Sequence, residues 1–163
     1  MRTLLIMRHA KSSWDNALVG DHDRPLNRRG RRDAPRMGRW LAAHDLAPDA
    51  ILCSTAARAL ETAECVADAT GADAPVARRA LYEGDVEDYV RALRGLPDEV
   101  AVALIVGHSP TVALLVDALA DEDVVMPTAA VAVLALPIDR WGDLSEEVSG
   151  RLRAEWRPRE IDD

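Results

Sequence analysis

Four short, largely apolar runs, at residues 3–7, 48–52, 100–106 and 129–136, constrain the fold of this chain more than any other feature of its sequence. Each is continuous rather than alternating and shorter than an ordinary buried helix, so each reads as a strand covered on both faces. Helix signals fill the intervals. Asn27 is placed as an N-cap ahead of an apolar stripe of Met37, Trp40 and Leu41, and Pro35 inside that span predicts a kink or a late start. Ser54 or Thr55 is placed to cap a helix over 56–69 that stops at Gly71, with Ala56, Leu60, Ala63 and Ala67 as its stripe. Asp85 is placed to cap a helix reaching Arg94, with Val86, Val90 and Leu93 turned inward, and Ser109-Pro110 to open one reaching Ala120.

A further short strand is predicted at 74–77, followed by a connector through Leu81-Tyr82-Glu83-Gly84. Residues 151–157 alternate, with Leu152, Ala154 and Trp156 on one face and charges on the other, which marks a half-exposed edge strand. The stretch 138–150 before it reads as a polar loop. Strands alternating with helices predict an α/β fold, a three-layer α/β/α sandwich around a mostly parallel sheet with an antiparallel edge strand. A chain of 163 residues predicts one domain spanning 1–163, burying about 70% of its unfolded surface.

Charge narrows the function. Residues 1–60 carry eleven Lys and Arg against six Asp and Glu, whereas 61–163 carry nine against twenty-two, so an anionic ligand is expected to meet the first third. Arg28, Arg29, Arg31, Arg32, Arg36 and Arg39 read as a solvated helix face, with neither interleaved aromatics nor a reading motif to suggest nucleic acid. No apolar stretch approaches the length of a membrane span, and residues 1–10 lack a cleavable leader pattern. Cys53 and Cys65 have neither metal-ligand spacing nor a disulfide framework around them, which predicts a reducing compartment and a cytoplasmic location.

Four polar sites fall where a strand hands over to a helix, on the carboxyl rim that open α/β sheets use for ligands. They are Arg8-His9, Arg58, Glu83 and Gly107-His108. An imidazole beside a guanidinium suits phosphate chemistry, because a neutral histidine is a nucleophile near pH 7 and arginine holds phosphate oxygens in a planar fork. Two other patterns are weaker. Gly107-His108-Ser109-Pro110-Thr111 lacks the second glycine of a nucleophile elbow, and Asp21-His22-Asp23 offers metal-type ligands with no distant partner, so it reads as a solvated loop. Ser109 reads as a helix cap, and Trp14 and Trp156 as packing residues.

Four motifs in order carry a family resemblance. Arg8-His9-Ala10 resembles the Arg-His-Gly or Arg-His-Ala signature of the histidine phosphatase superfamily, also called phosphoglycerate mutase-like. Pro25-Leu26-Asn27-Arg28-Arg29-Gly30 is similar to its Leu-Thr-x-x-Gly helix start, and Ser54-Thr55-Ala56-Ala57-Arg58-Ala59-Leu60-Glu61-Thr62-Ala63 to its Ser-x-x-x-Arg-x-x-x-Thr-Ala segment. Val106-Gly107-His108 resembles the segment of its second histidine. The matches span 3 to about 113, and the small size, without the usual helical insertion, resembles the SixA-type phosphohistidine phosphatases.

The resemblance implies a phosphoglycerate mutase-like fold and a metal-independent phosphatase with no cofactor. It makes His9 the nucleophile that forms a phosphohistidine intermediate, Arg8, Arg58 and His108 the phosphate pocket, and Glu83 the general acid. Ala10 stands where glycine is commoner, which implies a backbone that does not require glycine. The expected substrate is phosphohistidine on a carrier or signalling protein, since an uncovered pocket admits a protein side chain. The alternatives are a small-molecule phosphomonoesterase of the same fold and a phosphate-binding module without turnover. Neither nucleic acid nor membrane is an expected partner.

Overall fold

The structure, a computed structural model, describes residues 1–162; Asp163, the last residue of the expected 1–163 domain, lies outside the described residues. Six strands form one sheet: β1 (Arg2–Arg8), β2 (Ala50–Ser54), β3 (Val76–Arg78), β4 (Val102–Gly107), β5 (Val131–Leu136) and β6 (Arg151–Trp156), in the order β3-β2-β4-β1-β5-β6. β3, β2, β4 and β1 run parallel, and β5 runs against both of its neighbours. β6 is the half-exposed edge that its alternation predicts, while the strand of opposite direction is β5, one place further in.

The helices are α1 (Arg28–Ala43), α2 (Ala57–Thr70), the single turn α3 (Ala80–Glu83), α4 (Val86–Arg94) and α5 (Thr111–Ala120). They pack on opposite faces because successive strand residues point to opposite sides. Leu5 and Met7 of β1 with Leu104 and Val106 of β4 meet Met37 and Leu41 of α1 and Ala63 and Val66 of α2. Leu4 and Ile6 with Ala103 and Ile105 meet Tyr89 and Leu93 of α4 and Leu115 and Val116 of α5. The continuous apolar runs are therefore the middle layer of the α/β/α sandwich.

Several local expectations change. β2 ends two residues later than expected, so Ser54 stays in the strand, and α2 starts after Ala56 with no side-chain cap bond. Its buried face includes Ala59, Thr62 and Val66, leaving Leu60 half-buried. α1 runs through Pro35 from a start at Arg28, capped as expected by Asn27, whose Oδ1 accepts from the Gly30 N–H at 2.9 Å. Gly30 is required there, since a Cβ would collide with the Lys11 carbonyl.

The connector at 81–83 is helical, and Ser109 caps nothing, because Pro110 occupies the position before α5 and makes no cap bond. The stretch 138–150 buries Trp141 and Leu144, and the Trp141 Nε1–H donates to the Val100 carbonyl at 2.8 Å. Those apolar residues are isolated in polar sequence, so periodicity gives no sign of them. Among the described residues no helix is long and apolar enough to cross a membrane, and Cys53 and Cys65 are free thiols.

Candidate active site

Sheet register places the two histidines. β1 and β4 are parallel neighbours with Arg8 opposite Gly107, so His9 and His108 leave the same edge side by side, their ring centroids 5.2 Å apart. The His9 N–H donates to the Gly107 carbonyl at 3.0 Å and continues the ladder one step past the strand. Gly107 tolerates no side chain, because a Cβ would strike the hydroxyl of Tyr89. That hydroxyl donates to the Leu81 carbonyl at 2.9 Å and accepts from the His108 N–H at 3.2 Å, which fixes the turn carrying the second histidine.

β2 flanks β4 on its other side and brings Ser54 to the same edge, where Ser54 Oγ lies 2.8 Å from His108 Nε2. Four residues on, the first turn of α2 carries Arg58, and four further on Thr62 follows on the same helix face. Thr62 Oγ1 accepts from the Ala10 N–H at 3.0 Å and donates to the Arg58 carbonyl at 2.6 Å, tying α2 to the backbone just after His9. Ser-x-x-x-Arg-x-x-x-Thr is thus a run of contacts to His108, the cleft and the His9 loop. Ala10 is fully buried and does not take a positive φ, in keeping with a position that needs no glycine.

The state of His9 follows from the hydrogen bond that its ring makes. Its Nδ1 lies 2.7 Å from the Ala10 carbonyl, which only accepts, so Nδ1 carries the proton and Nε2 of the neutral ring is bare. Burial, joined by the positive charges of Arg58 and Arg8 and by His108, pushes the His9 pKa down to about 3. Burial and the Arg58 charge likewise push His108 down to about 4.

Arg58 is 6% exposed. Its Nη1 donates to the Asp21 carbonyl at 2.7 Å and its Nη2 to Asp21 Oδ2 at 3.1 Å. Asp21 Oδ2 also accepts from the Tyr82 hydroxyl at 2.7 Å and Oδ1 from Arg24 Nε at 3.2 Å. The Tyr82 hydrogen bond, reinforced by Arg58 and Arg24, holds the Asp21 carboxyl down at about 2. Arg8 Nη1 donates to the Met126 carbonyl at 3.2 Å.

Among the described residues, four buried side-chain nitrogens have no hydrogen-bond partner, and two of these are Nε of Arg8 and Nε of Arg58. A buried donor left unpaired costs about 1–3 kcal/mol. Two such donors in one cleft, on guanidiniums close enough for Arg58 to lower the Arg8 pKa, suit an anionic oxygen.

The cleft encloses about 690 Å³ and is lined by Arg8, His9, Arg58, Glu83 and His108, so the structure brings all five expected residues to one place. They are not equally engaged. The Glu83 carboxylate sits at the rim, paired with Arg79 Nη2 at 3.1 Å, with both side chains largely exposed. Asp21, Arg24 and Tyr82 line the cleft as well. Asp21 and Tyr82 are far apart in sequence and on segments read as a loop and a connector, so nothing in the sequence pairs them.

The turn Asp21–Asp23 has no buried residue, in keeping with a solvated segment, but two of its side chains are engaged: Asp21 holds Arg58, and His22 Nε2 lies 2.9 Å from Thr55 Oγ1. Among the described residues no group of three or more His, Cys, Asp or Glu is placed to hold a metal ion. Trp14 is 71% exposed rather than packed in the core, with the Arg24 guanidinium carbon 3.4 Å from its ring centroid at the cleft mouth. Chemically, the cleft joins a bare imidazole nitrogen to spare cationic donors, an arrangement suited to transferring a phosphoryl group.

Comparison with known proteins agrees with this chemistry. An uncharacterized protein of Mycobacterium leprae (strain TN) is 36% identical over 155 residues, covering 86% of this chain and 93% of the relative. The putative phosphohistidine phosphatase SixA from Nakamurella multipartitia superposes with a TM-score of 0.82 at 33% identity, over 96% of both chains. A structure of the protein histidine phosphatase SixA complexed with tungstate superposes with a TM-score of 0.81 at 28% identity, over 96% of this chain and 97% of that one. Residues 4–101 match the histidine phosphatase superfamily (branch 1), and with a SixA-like fold over nearly its whole length the chain belongs to that superfamily.

Proposed function

We propose that this protein is a metal-independent phosphatase that works through a phosphorylated His9 and removes the phosphoryl group from phosphohistidine on a carrier or signalling protein in the cytoplasm. The observation that carries the reading is the Nδ1–H bond from His9 to the Ala10 carbonyl, which leaves Nε2 bare in a cleft with unpaired Arg8 and Arg58 donors. His9 Nε2 forms a bond to phosphorus as the bond to the leaving nitrogen breaks. A substrate ring already protonated at its other nitrogen departs as neutral imidazole. Water then attacks the phosphorus, the electron pair of the P–N bond returns to Nε2, and dihydrogen phosphate leaves and passes its extra proton to solvent. Arg8, Arg58 and His108 surround the equatorial oxygens, where negative charge spreads during transfer.

The phosphohistidine assignment is supported by what the cleft lacks near neutral pH. His9 at about 3, His108 at about 4 and Asp21 at about 2 are all deprotonated there, and the Glu83 carboxylate is paired with Arg79. An alkoxide leaving group needs an acid worth roughly 10² to 10⁴ in rate, whereas a neutral imidazole does not. The name borne by the SixA structures, phosphohistidine phosphatase, points the same way. A small phosphomonoester is the second reading, favoured by the place of Glu83 in the cleft lining.

Glu83→Gln separates the two. On the first reading its expected effect is a loss of less than about tenfold on a phosphohistidine protein and on alkyl phosphates alike, whereas a steep loss on alkyl phosphates marks Glu83 as the acid of the second reading. Wild-type enzyme that turns over alkyl phosphates well and phosphohistidine poorly would overturn the assignment.

A further inference from the structure

We infer that Asp21 is a positioning residue for Arg58, holding its guanidinium by the two outer nitrogens and so fixing its charge at the wall of the cleft where the phosphoryl group would sit. The inference rests on the reading of the cleft as a phosphatase site. Arg58 is a long side chain with many rotamers open to it, set in a cleft where Arg8 and Arg24 repel it. Asp21 answers both problems. Its carbonyl and its carboxylate each take one terminal nitrogen of Arg58, at 2.7 and 3.1 Å, and the Nε that remains is buried without a partner.

The holder is itself held. Tyr82 reaches the same carboxylate from α3 at 2.7 Å, and Arg24 reaches it at 3.2 Å. Arg24 is 7% exposed and pinned by its Nη1 to Ser12 Oγ at 2.7 Å and the Ser13 carbonyl at 3.3 Å. The turn closes on itself through the Asp23 N–H to the Gly20 carbonyl at 3.0 Å. Asp21 is therefore fixed from the loop after β1, from α2 and from α3 at once. A carboxylate at the wall of an anion cleft works against ground-state binding of phosphate, so its benefit has to lie in the order it imposes on Arg58. Order of this kind counts in the transition state, where the donor bond tightens.

Asp21→Asn keeps the backbone carbonyl bond but removes the charge, and its amide has one oxygen where the carboxylate has two, so either Arg24 or the Tyr82 and Arg58 pair loses its acceptor. With p-nitrophenyl phosphate, whose leaving group needs no acid, kcat is expected to fall about 10- to 100-fold. Inhibition by orthovanadate, which resembles the transition state, is expected to weaken by a similar factor. Inhibition by inorganic phosphate is expected to stay within about threefold or to tighten, because a repelling charge is gone. Tyr82→Phe removes one brace only; it is expected to show the same split at less than about tenfold, and it carries the test if Asp21→Asn does not fold.

Unchanged kcat in both variants would overturn the inference. So would a parallel loss of kcat, phosphate affinity and melting temperature, the signature of a merely structural role. Wild-type protein that neither turns over nor binds vanadate would overturn the phosphatase reading and this inference with it, whereas active wild type with an equally active Asp21→Asn variant overturns the inference alone.

Discussion

Two groups of arginines occupy the first third of the chain, and they behave differently. On α1, Arg29, Arg32 and Arg36 converge on Asp33, which is 2% exposed, at 3.5, 3.1 and 3.2 Å, and Arg31 Nη1 donates to the Leu26 carbonyl at 2.8 Å. Around the cleft, Arg58 is buried and Arg8 half-buried, and each keeps a buried Nε–H without a partner. The α1 group holds more charge, but that charge is spent on one carboxylate or faces solvent, where it is screened within about 8 Å at physiological salt. Charge density therefore identifies the basic third of the sequence, whereas unmade guanidinium hydrogen bonds identify the anion site only where they meet a cleft, since Arg2 Nε is also unpaired but lies away from it.

The contrast is sharpest under mutation. Arg58→Ala is expected to cost on the order of 3 kcal/mol or more in transition-state stabilisation, mostly in kcat, since it deletes a donor that tightens during transfer. Steady-state kinetics showing a raised KM with unchanged kcat would instead make Arg58 a ground-state binder. Asp33→Asn should act on the fold rather than on the chemistry, lowering stability by about 1–3 kcal/mol in denaturant titrations, because three guanidiniums lose the charge and one of the two oxygens of their shared buried acceptor, while kcat holds.

Acid should expose the cleft's cost to stability. The folded-state pKa values of His9 and His108, about 3 and about 4, lie below the ordinary 6.5, so the unfolded chain takes up protons that the native cleft refuses. The resulting loss of stability begins as pH falls through 6.5 and saturates near the folded values, with at most about 1.4 kcal/mol per pH unit for each ring. Asp21, depressed from 3.8 to about 2, adds stability that is lost only below pH 3.8. Melting curves from pH 7 to 4 should slope less in His108→Asn than in wild type, and an identical slope would place the titrating groups elsewhere. The smallest effect belongs to α1: the double variant Arg29→Ala, Arg32→Ala is expected to change kcat on small substrates by less than about twofold, and a large drop would erase the distinction between the two groups.

Much of this was legible in the sequence, and for identifiable reasons. The strands of the sheet core announce themselves as apolar runs because both faces are covered, and Arg8, His9, Arg58 and His108 each sit at, just beyond or one turn beyond a strand end. The alternation at 151–157 reported the edge strand correctly because one of its faces is wet. What stayed hidden depends on contacts between distant segments. Ser54 looks like a helix cap until β2 is seen to extend through it, which frees its hydroxyl for His108. Asp21 and Tyr82 lie in segments without periodicity, and Tyr89 bears on the site only through the space that Gly107 leaves open. Glu83 is placed at the cleft by its position after the third strand, but its bond to Arg79 follows only once the expected connector is seen to be a helical turn that brings the i,i+4 pair together.

Everything proposed for the cleft depends on His9 accepting the phosphoryl group through its bare Nε2. The most direct measurement is rapid-quench labelling with radiolabelled phosphoramidate, followed by peptide mapping. The predicted result is an acid-labile, base-stable label on the peptide containing His9, formed and lost at rates compatible with turnover, and absent together with turnover in His9→Ala. A label on another residue, or a His9→Ala variant that retains substantial activity, would contradict it.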